Sequence, residues 1–285
     1  MGDKYINPYT DFGFKTLFGS KPNKDLLISF LNALLETAPP KLGEEPKEIV
    51  DITYLDKEQL GMREDGRRAI FDVFCKTSTG DHLIVEMQNV AQPFYKDRSV
   101  YYASFPIVEQ GKRGDWDYKL QAVYTVGILN FVLRDEGYSD DDYCHNVMLT
   151  DIEDNHVFFD KLRFIYLEMP KFKKTEDELV TMFDKWMFVL KNLPRLFERP
   201  AALQERVFKK LFEQAEIARF TKEQRISYEY DVMTYRDLKN SFDLAVAQGE
   251  AKEQVKIAKN LKAMGMSNDQ IAQATGLTEK QISEL

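Results

Sequence analysis

The segment 69–89, AIFDVFCKTSTGDHLIVEMQN, constrains the fold most, because it places one acid in each of two apolar runs that flank a turn. Asp72 lies in the first run and Glu86 in the second, and both runs favour β-strands. A strand buried on both faces reads as a nearly continuous apolar run. An ionised carboxylate there is costly unless it is paired or binds a metal. The segment therefore predicts a hairpin whose core holds two acids that need a partner.

The length of the hairpin loop decides whether these two acids meet. A three-residue loop at 78–80, with its glycine in the left-handed conformation, places Asp72 directly opposite Glu86, with Cβ atoms about 5 Å apart. Gln88 shares that face because side chains of a strand repeat every second residue. Like charges at that distance repel, so a cation is the natural resolution. A two-residue loop would instead place the two acids on opposite faces.

Composition limits the class of protein. A chain of 285 residues with 13% aromatic and 30% charged residues is typical of a folded protein with a sizeable core. The net charge of -8 argues against a protein that coats nucleic acid, but a local basic groove can exist on an acidic body. The N-terminal residues lack a secretory leader pattern, and no apolar run reaches the roughly 20 residues of a membrane span. A cytoplasmic protein without a membrane partner is expected.

Strand and helix patterns alternate up to about residue 172, and helical patterns follow alone. This favours an α/β domain over 1–172 and a helical region over 173–285. The tail, 251–285, has a helix-turn-helix look, but its mixed charge favours a packing or self-association element at least as much as a DNA reader. Helices are predicted over 11–18, 24–36, 95–109, 176–190, 201–219 and 227–264, and strands over 49–55, 69–89, 120–133 and within 146–169.

Several sequence blocks together resemble a known family. They are TDFGFKTLFG (10–19), LLISFLNALL (26–35), FDVFCKTSTGDHLIVEMQ (71–88), FYKDRSVYYAS (94–104), VYTVGILNF (123–131) and FIYLEMPKF (164–172). In this order they are similar to the bacterial Rpn-type recombination-promoting nucleases, described as transposases of the PD-(D/E)XK nuclease superfamily. The resemblance implies a restriction-endonuclease-like α/β core followed by a helical C-terminal region.

The resemblance also implies a site on the hairpin. The superfamily motif, an acid on one strand and acid-x-Lys on the next, maps to Asp72, Glu86 and Gln88, with glutamine where many members have lysine. Asp72 and Glu86 would then bind Mg²⁺, or Mn²⁺ as a substitute, with the backbone carbonyl of Met87 as a further ligand. The metal would activate a water for attack on a phosphodiester. Gln88 would position that water or contact the phosphate, but it carries no positive charge.

Other residues have a functional and a structural interpretation. Asp11 is a candidate third metal ligand, as in related nucleases, or a residue at the start of the first helix. Arg98 and Tyr102 are four residues apart and share a helix face. They either contact DNA phosphates, or Arg98 pairs with a nearby acid while Tyr102 is partly core. Five basic residues could add local positive potential: Arg63, Arg67, Arg68, Lys112 and Arg113.

The function that the resemblance implies is metal-dependent endonucleolytic cleavage of DNA, associated with recombination or mobile elements. The alternative is a catalytically silent protein on a nuclease scaffold, which binds DNA or a protein partner through its helical region. The glutamine at position 88 and the acidic net charge keep this alternative open. A third interpretation is a homo-oligomeric protein that associates through the helical C-terminal region.

Overall fold

The computed structural model describes residues 3–37, 47–56, 58–59, 69–111, 115–133 and 137–285. Contacts divide the chain into two compact units, Met1–Val232 and Met233–Leu285. The change from mixed to helical sequence at residue 172 falls inside the first unit, so a domain division at that residue stays a prediction. Within the described residues, no helix has the length and apolar character that crossing a membrane requires.

The elements follow the predicted order of strands and helices. The helices are α1 (Asp11–Phe18), α2 (Lys24–Leu35), α3 (Tyr95–Glu109), α4 (Met182–Asn192), α5 (Arg206–Ala215), α6 (Lys222–Ala263), α7 (Asn268–Thr275) and α8 (Glu279–Ser283). The strands are β1 (Ile52–Tyr54), β2 (Glu58–Gln59), β3 (Ala69–Ile70), β4 (Val73–Thr77), β5 (His82–Gln88), β6 (Val123–Leu129), β7 (Cys144–Thr150) and β8 (Val157–Glu168).

The main sheet has six strands in the order β1-β4-β5-β6-β8-β7, and β2 pairs with β3 separately. Strands β5, β6 and β8 are parallel, whereas β1, β4 and β7 pair antiparallel with their neighbours. Every residue of β6 is buried, as expected for a central strand that is covered on both faces. The predicted α/β class is confirmed, and α3 packs on β6 beside the hairpin.

The hairpin of β4 and β5 has the register that the three-residue loop predicts. Val73 faces Val85, and the Thr77 N–H donates to the Asp81 carbonyl at 2.8 Å. Gly80 takes the left-handed conformation, with φ at 96°. Continuing this register one residue outward from Val73 brings the two predicted acids opposite each other. The loop therefore sets the geometry of the candidate site.

Three helices begin later or earlier than predicted: α5 begins at Arg206 rather than at residue 201, and a capping box explains the starts of α4 and α6. Helix α4 begins at Met182 rather than at residue 176, because the Thr181 hydroxyl accepts the Asp184 N–H and the Asp184 carboxylate accepts the Thr181 N–H. Helix α6 begins at Lys222 rather than at residue 227, after the same reciprocal bonds between Thr221 and Gln224. Both boxes satisfy main-chain N–H groups that a helix leaves unpaired.

An aromatic cluster holds helices of the first unit together. Trp186 of α4 is fully buried, and its ring lies 5.8 Å from Phe18, 5.7 Å from Phe30 and 5.1 Å from Phe208. The indole N–H donates to the Ser29 hydroxyl at 3.2 Å. Helices that follow residue 172 thus share a core with α1 and α2.

The second unit contains the end of α6 together with α7 and α8. Ala258, Ile271 and Ile282 form its buried core. Ser267 caps α7 and Thr278 caps α8. DNA binding or self-association by the tail stays a prediction.

The hairpin loop generates a stability prediction. Gly80→Ala is expected to lower the free energy of unfolding by about 1–2 kcal/mol, because an alanine resists the left-handed conformation. Ser78→Ala in the same loop is the control, since Ser78 is exposed, and it is expected to change the free energy by less than about 0.5 kcal/mol. Urea unfolding of the three proteins measures both effects, and equal stability of all three would contradict the assigned loop.

Candidate active site

The structure brings Asp72 and Glu86 together across the hairpin. The Asp72 N–H donates to Oε1 of Glu86 at 3.2 Å, and the Met87 N–H donates to Oδ2 of Asp72 at 2.8 Å. Each carboxylate is therefore held by a main-chain N–H of the opposite strand. Glu86 is only 7% exposed. The two acids, Glu86 buried and Asp72 half-buried, form a pair that main-chain bonds of the hairpin position.

Burial controls the charge of this pair. Burial of Glu86 and the neighbouring Asp72 carboxylate raise the pKa of Glu86 to about 8, well above its ordinary value. The bond from the Asp72 N–H, the Arg98 guanidinium and the Gln88 amide act in the opposite direction, but they are weaker. Without a cation, the pair therefore resists a second negative charge at neutral pH. A divalent ion would remove this conflict, so the donor set fits one.

A second buried glutamate in the same sheet shows what full compensation looks like. Glu168, at the end of β8, is 0% exposed. Its Oε1 lies 2.6 Å from Nε2 of His145 and 3.1 Å from Nζ of Lys171, and its Oε2 accepts the Leu133 N–H at 2.7 Å. These groups satisfy Glu168 as a structural residue. Glu86 faces another acid instead, which marks it as the unusual carboxylate of the sheet.

Gln88 connects Glu86 to the helix that follows the hairpin. Its Nε2 donates to Oε2 of Glu86 at 3.2 Å, and its Oε1 accepts a bond from Nη2 of Arg98 at 2.6 Å. Nη1 of Arg98 donates to the side chain of Gln92. An amide has one donor end and one acceptor end, so this arrangement satisfies both neighbours at once. The structure thus joins Glu86, Gln88 and Arg98 in one chain of contacts.

Two tyrosines of α3 hold the Arg98 guanidinium. It lies 5.4 Å from the ring centre of Tyr95 and 5.8 Å from that of Tyr102. The ring of Tyr102 also meets Phe71 edge to face at 5.4 Å. Tyr102 therefore has the packing role that its structural interpretation predicts. Contact of Arg98 or Tyr102 with DNA phosphates stays a prediction.

Gly127 and Tyr95 belong to the site but were not among the candidates from sequence. Gly127 of β6 pairs with Glu86, and a Cβ at position 127 would lie 2.3 Å from the Tyr95 hydroxyl. Only a glycine leaves room for this tyrosine beside the acid pair. An isolated glycine within an apolar strand signals such a close backbone approach. That signal was present in the segment VYTVGIL.

Asp11 is not brought to the pair in this structure. Its carboxylate is exposed at the start of α1 and lies 2.6 Å from Nζ of Lys15. Within the part of the chain that the structure describes, no three or more His, Cys, Asp or Glu side chains form a group that could hold a metal. A metal at Asp72 and Glu86 would therefore take its other ligands from main-chain carbonyl groups such as that of Met87, water or substrate, as Mg²⁺ commonly does.

The candidate basic cluster cannot be placed beside the site. All five of its members lie outside the described residues: Arg63, Arg67, Arg68, Lys112 and Arg113. Its contribution to the local potential stays a prediction.

The raised pKa of Glu86 generates a prediction for the metal-free protein. The folded state holds the Glu86 proton more tightly than the unfolded state does, so the free energy of unfolding should fall as pH rises from about 4.5 to about 8. Glu86→Gln removes this titration. In EDTA at pH 8 it should be more stable than the parent, by on the order of 1–3 kcal/mol.

Urea unfolding at pH 5, 6.5 and 8 measures the effect. Glu109→Gln is a matched control, because Glu109 is exposed at the end of α3. An identical pH dependence in the parent and in Glu86→Gln would contradict the assigned electrostatics.

One of the comparisons with known proteins identifies the family of this chain. The family model described as PD-(D/E)XK nuclease family transposase matches residues 8–245 of the 285, which include the hairpin, α3 and the central strands. No curated protein and no solved structure matches the chain. The match covers most of the sequence, and its range includes Asp72 and Glu86. The chain belongs to the PD-(D/E)XK nuclease family transposases.

Proposed function

We propose that this protein is a metal-dependent endonuclease that hydrolyses phosphodiester bonds of DNA, with a role in recombination or in mobile elements. One observation carries the proposal: two carboxylates, the half-buried Asp72 and the buried Glu86, face each other on the hairpin, each held by a main-chain N–H of the other strand. Membership in the family supports a nuclease. The raised pKa of Glu86, which reflects its burial and the neighbouring Asp72 carboxylate, supports a divalent ion between the two acids.

The residues of the pair have defined tasks in this proposal. Asp72 and Glu86 would hold Mg²⁺, which when bound supplies positive charge at the scissile phosphate and a water of lowered pKa. The main-chain N–H groups of Asp72 and Met87 orient the two carboxylates before any ligand arrives. Burial of Glu86 keeps bulk water away, so that electrostatic interactions there are stronger than at an exposed surface.

Gln88 orients the reacting groups. Its amide nitrogen lies on the side of Glu86, where it can donate to a phosphate oxygen or to the attacking water when substrate is present. The Arg98 contact fixes the direction of the amide, so the donor end points toward the acid pair. Gln88 therefore orients the reacting groups, and other groups supply the positive charge.

The DNA substrate follows from the family rather than from the overall charge. The net charge of -8 would repel DNA, so binding must depend on a local surface and on the metal. Such binding should weaken steeply as salt rises.

Cleavage of supercoiled plasmid tests the proposal. The parent protein should nick the plasmid in the presence of Mg²⁺ or Mn²⁺, and EDTA should abolish this nicking. Asp72→Asn and Glu86→Gln should each lower the rate by about 100-fold or more, because each removes charge that holds the metal at the reacting phosphate. The matched controls are Asp177→Asn and Glu109→Gln, which change exposed acids and should keep the parent rate.

Two outcomes would contradict the proposal. Equal cleavage by the parent and both pair variants would show that the acids take no part. No cleavage by folded parent protein, with DNA binding unchanged by EDTA or by Asp72→Asn, would favour the catalytically silent nuclease-fold protein.

A further inference from the structure

We propose that Arg98 is a positioning residue that supplies, through Gln88, the positive charge that lysine supplies in many PD-(D/E)XK nucleases. This inference rests on the proposed nuclease function. It differs from the DNA-phosphate contact predicted from sequence, because it assigns Arg98 to the chemical step rather than to the binding of DNA.

The contacts of Gln88 are the first observation that supports this role of Arg98. Its carbonyl oxygen accepts from Arg98 at 2.6 Å, and its amide nitrogen donates to Glu86 at 3.2 Å. A charged donor polarises the amide and makes its N–H a stronger donor toward the site. A lysine at position 88 would instead place an ammonium against the guanidinium. Gln88 and Arg98 are therefore complementary, since a neutral acceptor is needed where arginine provides the charge.

The surroundings of Arg98 are the second supporting observation. The rings of Tyr95 and Tyr102 lie 5.4 Å and 5.8 Å from the guanidinium, a distance at which aromatic rings attract a cation. Tyr95 is itself held in place, because it is buried and its ring packs edge to face on Phe131 and Tyr166. The charge is therefore held in place before substrate binds, which is the condition for electrostatic stabilisation of a transition state.

The position of the Arg98 charge relative to the acid pair is the third supporting observation. Gly127, which receives Tyr95, pairs directly with Glu86. The guanidinium also acts on Glu86 electrostatically and favours its charged form. Arg98 thus adds positive charge to the acid pair from the next element of the chain. Its five N–H donors exceed the two contacts to Gln88 and Gln92, so the role does not require those contacts to break.

Single-turnover cleavage by four variants tests the inference: Arg98→Met, Arg98→Lys, Gln88→Lys and the double variant Gln88→Lys/Arg98→Met. Arg98→Met should lower the rate about 100-fold, as loss of one preorganised donor does. Arg98→Lys should retain part of the activity, because it keeps the charge without the planar guanidinium. Gln88→Lys alone should not raise the rate, because its ammonium meets Arg98.

The double variant gives the decisive result. A lysine at position 88 can supply the missing charge once Arg98 is gone, so the double variant should recover at least about 10-fold over Arg98→Met. Arg206→Met is the matched control for loss of one positive charge at an exposed position, and it should cleave like the parent.

DNA binding in EDTA supplies a readout that does not depend on metal or turnover. If Arg98 acts in the chemical step, Arg98→Met should leave the dissociation constant and its salt dependence nearly unchanged. A salt slope lowered by about 1, together with no recovery in the double variant, would show a phosphate contact and overturn the inference.

The outcomes separate the two proposals. An active parent whose double variant stays as slow as Arg98→Met overturns only the role of Arg98. A parent that does not cleave overturns the proposed function, and the inference falls with it. Thermal unfolding of all variants should stay close to that of the parent, and a large loss of stability in Arg98→Met that the double variant does not share would assign Arg98 to folding instead.

Discussion

The opposition of Asp72 and Glu86 in the hairpin is the constraint on which the site depends. A buried carboxylate beside another carboxylate costs free energy, and the fold keeps the two together by main-chain bonds from both strands. The raised pKa of Glu86 records that cost. A protein without a use for the pair would gain stability by replacing one acid. The cost is understandable if a divalent ion and a negatively charged substrate meet there.

The elements around the hairpin position the residues that contact this pair. The three-residue loop sets the register, and Gly127 of the adjacent strand admits Tyr95 from α3. Tyr95 then helps to hold Arg98, which reaches the acids through Gln88. The contrast with Glu168, whose carboxylate contacts His145 and Lys171, shows that the sheet can compensate a buried acid with its own side chains. At Glu86 the proposed divalent ion would take that task.

The hairpin and most elements could be predicted from sequence because their signals are local. The loop glycine and the apolar periodicity both lie within a few residues of the feature they determine. The contact between Arg98 and Gln88 could not be predicted from sequence, because it depends on how α3 packs against the sheet. Asp11 could be proposed as a ligand from its place in the family pattern, but whether it meets the acid pair depends on how α1 packs, which only the fold shows.

Anomalous diffraction from crystals of the full chain soaked in Mn²⁺ would test the central claim most directly, because it locates the ion without relying on activity. The account predicts a manganese peak within bonding distance of both the Asp72 and the Glu86 carboxylates, and no peak there in crystals of Glu86→Gln. A saturating soak that leaves the pair empty, or that places the ion only at other acids, would contradict the claim that these two carboxylates form a metal site.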